Sequence, residues 1–418
     1  MTPSGRIRAT YLIETAHSLE KAAATMAGEQ SSGTFTAVPG ETDELKAAHG
    51  GVVERITVIG TADAPALPGS RQPKGGRLQQ AEVELSFPVA NINPSVANLW
   101  TLVAGNLFEL SPFSGLRLLD IDVPDDFASL FPGPAFGVEG TRRLAGVYER
   151  PLIGTIIKPS VGLSPEATAE LVKTLIEAGL DFIKDDELIA NPPYSTLADR
   201  VKAVMSVINA HADRTGRKPM YAFNISDECD EMRRHHDTVL AHGGTCVMVN
   251  MLSVGASAVS ALRKHAALPI HGHRNGWGML SRCPMLGMDY TAYHKLMRLA
   301  GVDHFHVNGL RNKFCEADTS SITSARACLK PWAGTRAVMP VFSSGQTASQ
   351  AHDTHAALNS TDLMYLCGGG ILGHPSGPKA GVESVQLAWD AAIKGIPLAD
   401  MAEQHSSLKQ ALSALKHD

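Results

Sequence analysis

No CxxC pair occurs in the 418 residues, and the six cysteines (Cys229, Cys246, Cys283, Cys315, Cys328 and Cys367) are scattered. That spacing argues against a structural zinc site or a disulfide framework and fits a reducing cytoplasm. Charge of one sign is also missing, since 37 basic against 42 acidic side chains leave a net charge of only -5. Without a basic stripe to neutralise a phosphate backbone, no nucleic-acid partner is expected. No apolar run approaches the roughly 20 residues of a membrane span, so no membrane association is expected. Residues 1–14 carry basic side chains but no continuous apolar stretch, which argues against a signal peptide. The expected setting is cytoplasmic.

What is present is a globular composition, 44% hydrophobic and 19% charged, enough for a large core. The length suits a barrel of roughly 250 residues with an added module of about 100. Two styles of sequence meet near residue 140. Before it, strand-like runs (7–14, 52–61 and 80–87) mix with helical ones (18–27 and 95–104), as in a compact α+β domain of ferredoxin-like type. Phe131, Pro132, Gly133 and Pro134 mark the boundary, giving an N-terminal domain over 1–137 and a second over 138–418 with a helical tail. In the second, eight short β-rich runs recur at 154–158, 181–186, 220–225, 246–250, 269–273, 304–307, 337–342 and 363–366. Amphipathic stretches such as 165–178, 228–241, 290–300 and 346–358 lie between them. Strands alternating with helices predict a parallel sheet, and eight units in roughly 260 residues predict a closed (β/α)8 TIM barrel. No GxGxxG follows the first strand, which argues against a dinucleotide fold.

A barrel of this kind builds its site at the carboxyl ends of its strands. All eight ends carry ionisable, polar or glycine residues directly after an apolar run. They are Lys158; Lys184 to Glu187; Asn224; Asn250; His271, His273 and Arg274; His306; Ser343 to Gly345; and Gly368 to Gly370. Lys184 and Asp186 point the same way because strand side chains alternate, and Glu187 can join them as the strand ends. Hard oxygen donors grouped there suit Mg²⁺, against the alternative of a plain salt-bridged strand end. Lys158 has the chemistry of a base if the site lowers its pKa, although alone it could be a surface lysine. His273, Arg274 and His306 are donors suited to a phosphate, though a lone histidine is usually a satisfied core residue. Gly345, Gly368 and Gly369 fit the backbone phosphate cradle after strands seven and eight, or simply tight turns.

Strung together, these motifs resemble the RuBisCO superfamily over almost the whole chain. Residues 154–159 with Gly162 resemble its first barrel strand, and 179–187 its metal-binding strand. His304 and His306 with Lys313 resemble strand six and its mobile loop, and 368–375 resemble strand eight. The resemblance implies that Lys184 is carbamylated by CO₂ and binds Mg²⁺ with Asp186 and Glu187. It implies Lys158 as the enolising base, His273 as a proton-transfer or hydroxyl-binding group, and Arg274 and His306 on one anionic end of the substrate. Thr34, Gly345, Gly368 and Gly369 would hold the other end, Ser343 would also bind the substrate, and Lys313 would close over the site to meet a carboxylate or CO₂. Glu29, Thr34 and Asn106 resemble the segments that complete the partner's site in a homodimer.

Several positions depart from the family's carboxylases. Ser160 and Trp277 replace a lysine and a histidine, Val307, Asn308 and Gly309 replace a small polar run, and Asn312 replaces a glycine before Lys313. The metal set and base stay while substrate-fitting positions change, as in a RuBisCO-like protein. Retention of Lys313 favours decarboxylation of a phosphorylated β-keto sugar acid, and the resemblance, which reaches members acting on 3-oxo-isoapionate 4-phosphate, implies CO₂ and a tetrulose phosphate as products. The alternatives are isomerisation of a methylthio-sugar phosphate in sulfur salvage and a catalytically silent relative.

Overall fold

The computed structural model describes residues 4–33 and 38–414. They form two compact units. The first gathers Met1–Gly133, Gly276–Ala300 and Trp332–Thr335, and the second Pro134–Asn275, Gly301–Pro331 and Arg336–Asp418.

In the first unit the strands Arg6–Thr15, Val52–Ala62, Leu78–Pro88 and Gly115–Asp122 alternate with the helices Leu19–Glu29 and Val96–Val103. Taken in chain order as strands one to four, they lie in the antiparallel order 4-1-3-2, which is the ferredoxin-like arrangement. Ile7, Ala9, Tyr11 and Ile13 are fully buried at every second position of the first strand, as the two-residue period requires. Val52–Ala62 is an edge strand with its apolar Val58 and Ile59 about half exposed.

The strand Gly115–Asp122, without a counterpart among the predicted runs, gains a parallel neighbour, Leu286–Met288. Arg117 explains why that distant segment comes to this edge. Its guanidinium pairs with Asp289 at 2.6 Å and donates to the carbonyls of Cys283, Leu286 and Met288 at 2.8–3.1 Å. The helix Tyr290–Ala300, expected between two barrel strands, therefore groups with the first unit.

In the second unit eight parallel strands close into a barrel: Leu152–Ile156, Phe182–Lys184, Met220–Asn224, Cys246–Asn250, Ile270–His273, His304–His306, Met339–Phe342 and Met364–Leu366. Each falls within or overlaps one of the eight predicted runs. Leu152, Phe182, Met220, Ala222, Cys246, Met248, Met339, Val341, Met364 and Leu366 are buried in one apolar cluster. They occupy alternate positions on barrel strands one to four, seven and eight, and extending that alternation toward the carboxyl ends reaches Lys158, Lys184, Asp186, Asn224, Asn250, Ser343 and Gly368. The core and the polar mouth are thus one face of the same strands. Gly154 also sits on this face, where a Cβ would lie 2.6 Å from Phe182 O and 2.5 Å from Leu366 Cδ2.

Candidate active site

The second barrel strand places three consecutive charged residues on opposite sides of the sheet. Lys184 is fully buried, with Nζ 2.6 Å from Asp185 O and 3.9 Å from Glu187 Oε2. Burial lowers its pKa, against the opposing pull of Glu187, Asp186 and Asp185. Asp186 is also buried, and its Oδ2 accepts from Lys158 Nζ at 2.5 Å. Lys158 is half exposed and donates as well to Ser160 Oγ at 2.8 Å. Glu187 is one-third exposed and lies 3.6 Å from His273 Nε2. Asn224 and Asn250 donate to the Glu187 carbonyl at 3.2 and 3.0 Å, which fixes the point where strand becomes loop.

Asp185, between them, faces the other way. It accepts from Arg200 Nε at 3.2 Å, Tyr221 Oη at 2.6 Å and the Asn224 amide at 2.9 Å, with both Arg200 and Asp185 fully buried. That residue serves the packing of helix on strand.

Across the mouth, strands five to seven supply a chain of buried hydrogen bonds. Thr141 Oγ1 donates to Gly137 O at 2.5 Å and lies 2.8 Å from His304 Nε2. His304 Nδ1 meets His271 Nδ1 at 3.3 Å, His271 Nε2 meets His306 Nε2 at 2.7 Å, and His306 Nδ1 meets Ser343 Oγ at 3.0 Å. One hydrogen per contact sets every proton. The Thr141 hydrogen goes to Gly137 O, so His304 donates from Nε2, His271 from Nδ1, His306 from Nε2 and Ser343 to His306. Burial holds all three rings neutral, with His304 lowered to about 3. His273 stacks edge-on against His306 with centroids 4.5 Å apart, and burial likewise lowers its pKa.

Arg274 pairs with Glu316 at 2.8 Å, and Asn308 Nδ2 donates to the same carboxylate oxygen at 2.5 Å. Glu316 was not among the predicted site residues; its place three residues beyond Lys313 was the available signal. Asn308, Arg311 and Ser344 all take positive φ, of 62°, 45° and 70°. Such costly backbone in non-glycine residues concentrates at functional sites. Lys313 is exposed, with its amide on Ser344 O at 3.0 Å and its ammonium 5.2 Å from the Phe314 ring centre.

Gly345 has φ +95°, and Gly368 and Gly369 follow the eighth strand with open space where a Cβ of Gly369 would lie. Thr34 lies outside the described residues. Glu29 and Asn106 are exposed in the first unit. Their segments adjoin, because Gln30 Nε2 donates to Thr101 O and Leu102 O at 2.9 Å. Another group of ligand-type side chains, His236, Asp237 and His265, satisfies itself. His236 Nε2 accepts from the Ala267 amide at 3.0 Å, so its proton is on Nδ1 and goes to Asp237.

Comparison with known proteins identifies the family. Residues 137–415 match the family described as ribulose bisphosphate carboxylase large chain, catalytic domain, and residues 6–127 match its N-terminal domain. A 3-oxo-isoapionate-4-phosphate transcarboxylase/hydrolase of Xanthobacter autotrophicus is 55% identical, over 98% of this chain and 99% of that one. A 3-oxo-isoapionate-4-phosphate decarboxylase of Rhizobium rhizogenes is 46% identical, over 97% and 98%. The crystal structure of a rubisco-like protein from Burkholderia fungorum superposes with a TM-score of 0.92 at 47% identity, over 98% and 99%.

Proposed function

Because the chain belongs to the ribulose bisphosphate carboxylase large-chain family, we propose that it is a Mg²⁺-dependent decarboxylase of 3-oxo-isoapionate 4-phosphate, yielding CO₂ and a tetrulose phosphate. The observation that carries this is the juxtaposition of Lys184, Asp186 and Glu187 with Lys158, beside relatives named for that substrate.

The residues fit a magnesium ion with a CO₂-derived carbamate. A buried amine whose pKa is lowered is a nucleophile toward CO₂, and the product carries oxygen donors where an ammonium stood. Lys184 in that form, Asp186 and Glu187 make a set of hard oxygen ligands. When bound, Mg²⁺ supplies positive charge for the oxygens of the developing enediolate.

The chain's own residues do the rest. Cleavage of the bond between the carboxylate and the carbon next to the ketone releases CO₂ and leaves its electron pair in the enediolate. Lys158, hydrogen-bonded to Asp186 and Ser160, is placed to move the proton that converts enediolate to ketone. His273 orients a substrate hydroxyl, with Arg274, His306 and Ser343 beyond it. Gly345, Gly368 and Gly369 provide backbone amides for the phosphate. Lys313, on the loop after strand six, orients the carboxylate when that loop closes. Glu29 and Asn106, with Thr34, complete the site of the partner subunit in a homodimer.

The name of the 55%-identical relative favours a second reading: the same bond is broken, but the carboxyl group is transferred to the other carbon of the enediolate, and water then cleaves the bond between those two carbons to leave two acids. Substrate labelled with ¹³C in the carboxylate separates the two. Labelled CO₂ as the stoichiometric product supports decarboxylation, and label retained in an organic acid supports transfer. Clean isomerisation of a methylthio-sugar phosphate, with no cleavage, would sink both. In the Lys313→Ala variant CO₂ release is lost, while the variant still exchanges solvent deuterium into the tetrulose phosphate product at the carbon that the carboxylate leaves. Simultaneous loss of both means that Lys313 does more than orient the carboxylate.

A further inference from the structure

We infer that Glu316 is a built-in counter-anion to Arg274, and that it makes the mouth select substrates bearing a single phosphate. The inference rests on the reading of the mouth as a sugar-phosphate site and assigns its specificity.

Arginine beside the fifth strand is the natural partner of a substrate anion, since its planar fork matches phosphate and carboxylate. In this chain an internal carboxylate already holds it. Arg274 Nη2 lies 2.8 Å from Glu316 Oε2, and the two side chains are only 10% and 13% exposed. Glu316 is fixed from four directions. Its Oε2 accepts from Arg274 and from Asn308 Nδ2 at 2.5 Å, its Oε1 accepts from Ser320 Oγ at 2.8 Å, and its carbonyl accepts from Asn312 Nδ2 at 3.1 Å. Asn308 is itself held at positive φ by Ser344, whose Oγ donates to Asn308 Oδ1 at 2.7 Å.

Asn308 and Asn312 are two of the positions at which the sequence departs from the carboxylase pattern. Both departures converge on one residue, Asn308 on the Glu316 carboxylate and Asn312 on its main-chain carbonyl. A phosphate brought to Arg274 meets that fixed negative charge at close range, in a setting too buried for salt to screen it. The neighbouring His306 offers no compensating cation, because both ring nitrogens are engaged and burial keeps the ring neutral. The corner beside strands five to seven therefore favours hydroxyls, and the phosphate goes to the glycine side.

The test is calorimetric titration of the Mg²⁺- and CO₂-equilibrated protein with ribulose 5-phosphate and ribulose 1,5-bisphosphate. In the wild type the bisphosphate should bind about threefold or more weakly than the monophosphate, because its second phosphate meets the Glu316 carboxylate. Glu316→Gln removes the carboxylate that opposes a phosphate at Arg274, so the bisphosphate should tighten by about tenfold or more while the monophosphate moves less than about threefold. A purely structural anchor leaves the ratio of the two constants unchanged, and that result overturns the inference. So does a wild-type preference of about tenfold for the bisphosphate, a result that needs no variant to fold. Binding is measured without turnover. Absence of CO₂ release with the expected ratio sinks the decarboxylase reading alone, and CO₂ release with a bisphosphate preference sinks this inference alone.

Discussion

On one side of the barrel mouth the fully buried Lys184 ammonium stands 3.9 Å from the Glu187 carboxylate, while Asp186 and Glu187 lead to a partly exposed strand end. On the other side every ring nitrogen of His271, His304 and His306 has a hydrogen-bond partner, and Arg274 has Glu316. The first side holds charge in an arrangement that a cation and CO₂ would complete. On the second, the three rings and the Arg274–Glu316 pair are already matched within the protein. Buried polar groups normally find partners within the protein, so the incompletely matched side is where an external group belongs. The satisfied side is where the protein specifies shape and hydrogen-bond direction.

The largest expected effect breaks the first side. Removing Mg²⁺ with a chelator, or replacing Lys184 by Arg, which cannot carry a carbamate, should lower the rate by about a thousandfold or more. Mg²⁺ binding followed by calorimetry should be lost in Lys184→Arg while the melting temperature stays close to wild type. Retained activity without divalent cation would remove the metal from the mechanism.

Neighbouring carboxylates sharpen the contrast within one strand. Asp185→Asn leaves the buried Arg200 guanidinium without its charge partner and should cost about 3–5 kcal/mol in unfolding experiments. Asp186→Asn touches a half-exposed Lys158 and should cost under about 1 kcal/mol while abolishing activity. If the two variants melt alike, the division of Asp185 and Asp186 into packing and mouth is wrong.

That division also shows what was legible in the sequence. Alternation along 181–187 was enough to put Lys184 and Asp186 on one face, and apolar runs ending in polar residues located all eight strands. These are local properties. Partners lying far apart in sequence were not legible: Arg117 with 283–289, Arg274 with Glu316, and the relay from Thr141 to Ser343. The strand Leu286–Met288 is three residues long and only partly buried, too short for a periodic signal. Its place depends on Arg117, some 170 residues earlier in the chain. His271 and His304 read as strand-end or core histidines until the rings are seen to touch.

Acid should act on the histidine side. His304 is held neutral with its pKa lowered to about 3, while an unfolded histidine titrates near 6.5. Between those values the unfolded chain binds the extra proton, so this contribution to stability is full above pH 6.5 and is lost as pH falls toward 3. His304→Asn should therefore flatten the acid limb of the stability curve by up to about 1.4 kcal/mol per pH unit between pH 6 and 4. An unchanged slope would mean that His304 already takes up its proton in the folded state.

The smallest effect is the most particular. Thr141→Val keeps the shape of the side chain but removes the oxygen that accepts from His304 Nε2. A buried donor left without a partner costs about 1–3 kcal/mol, and the relay has a cheaper arrangement. If His304 moves its proton to Nδ1, then His271 must donate from Nε2 and His306 from Nδ1, now toward Ser343. One methyl group in the helix Gly137–Ala145 should thus reverse the hydroxyl of Ser343 across three imidazoles. Nitrogen-15 shifts of the three rings report it directly: Nε2-, Nδ1- and Nε2-protonated for His304, His271 and His306 in the wild type, and the opposite in Thr141→Val. Thr141→Ser restores the acceptor and should restore the original pattern. Rings that keep their tautomers in Thr141→Val would show that the mouth, and not Thr141, sets the direction of the chain.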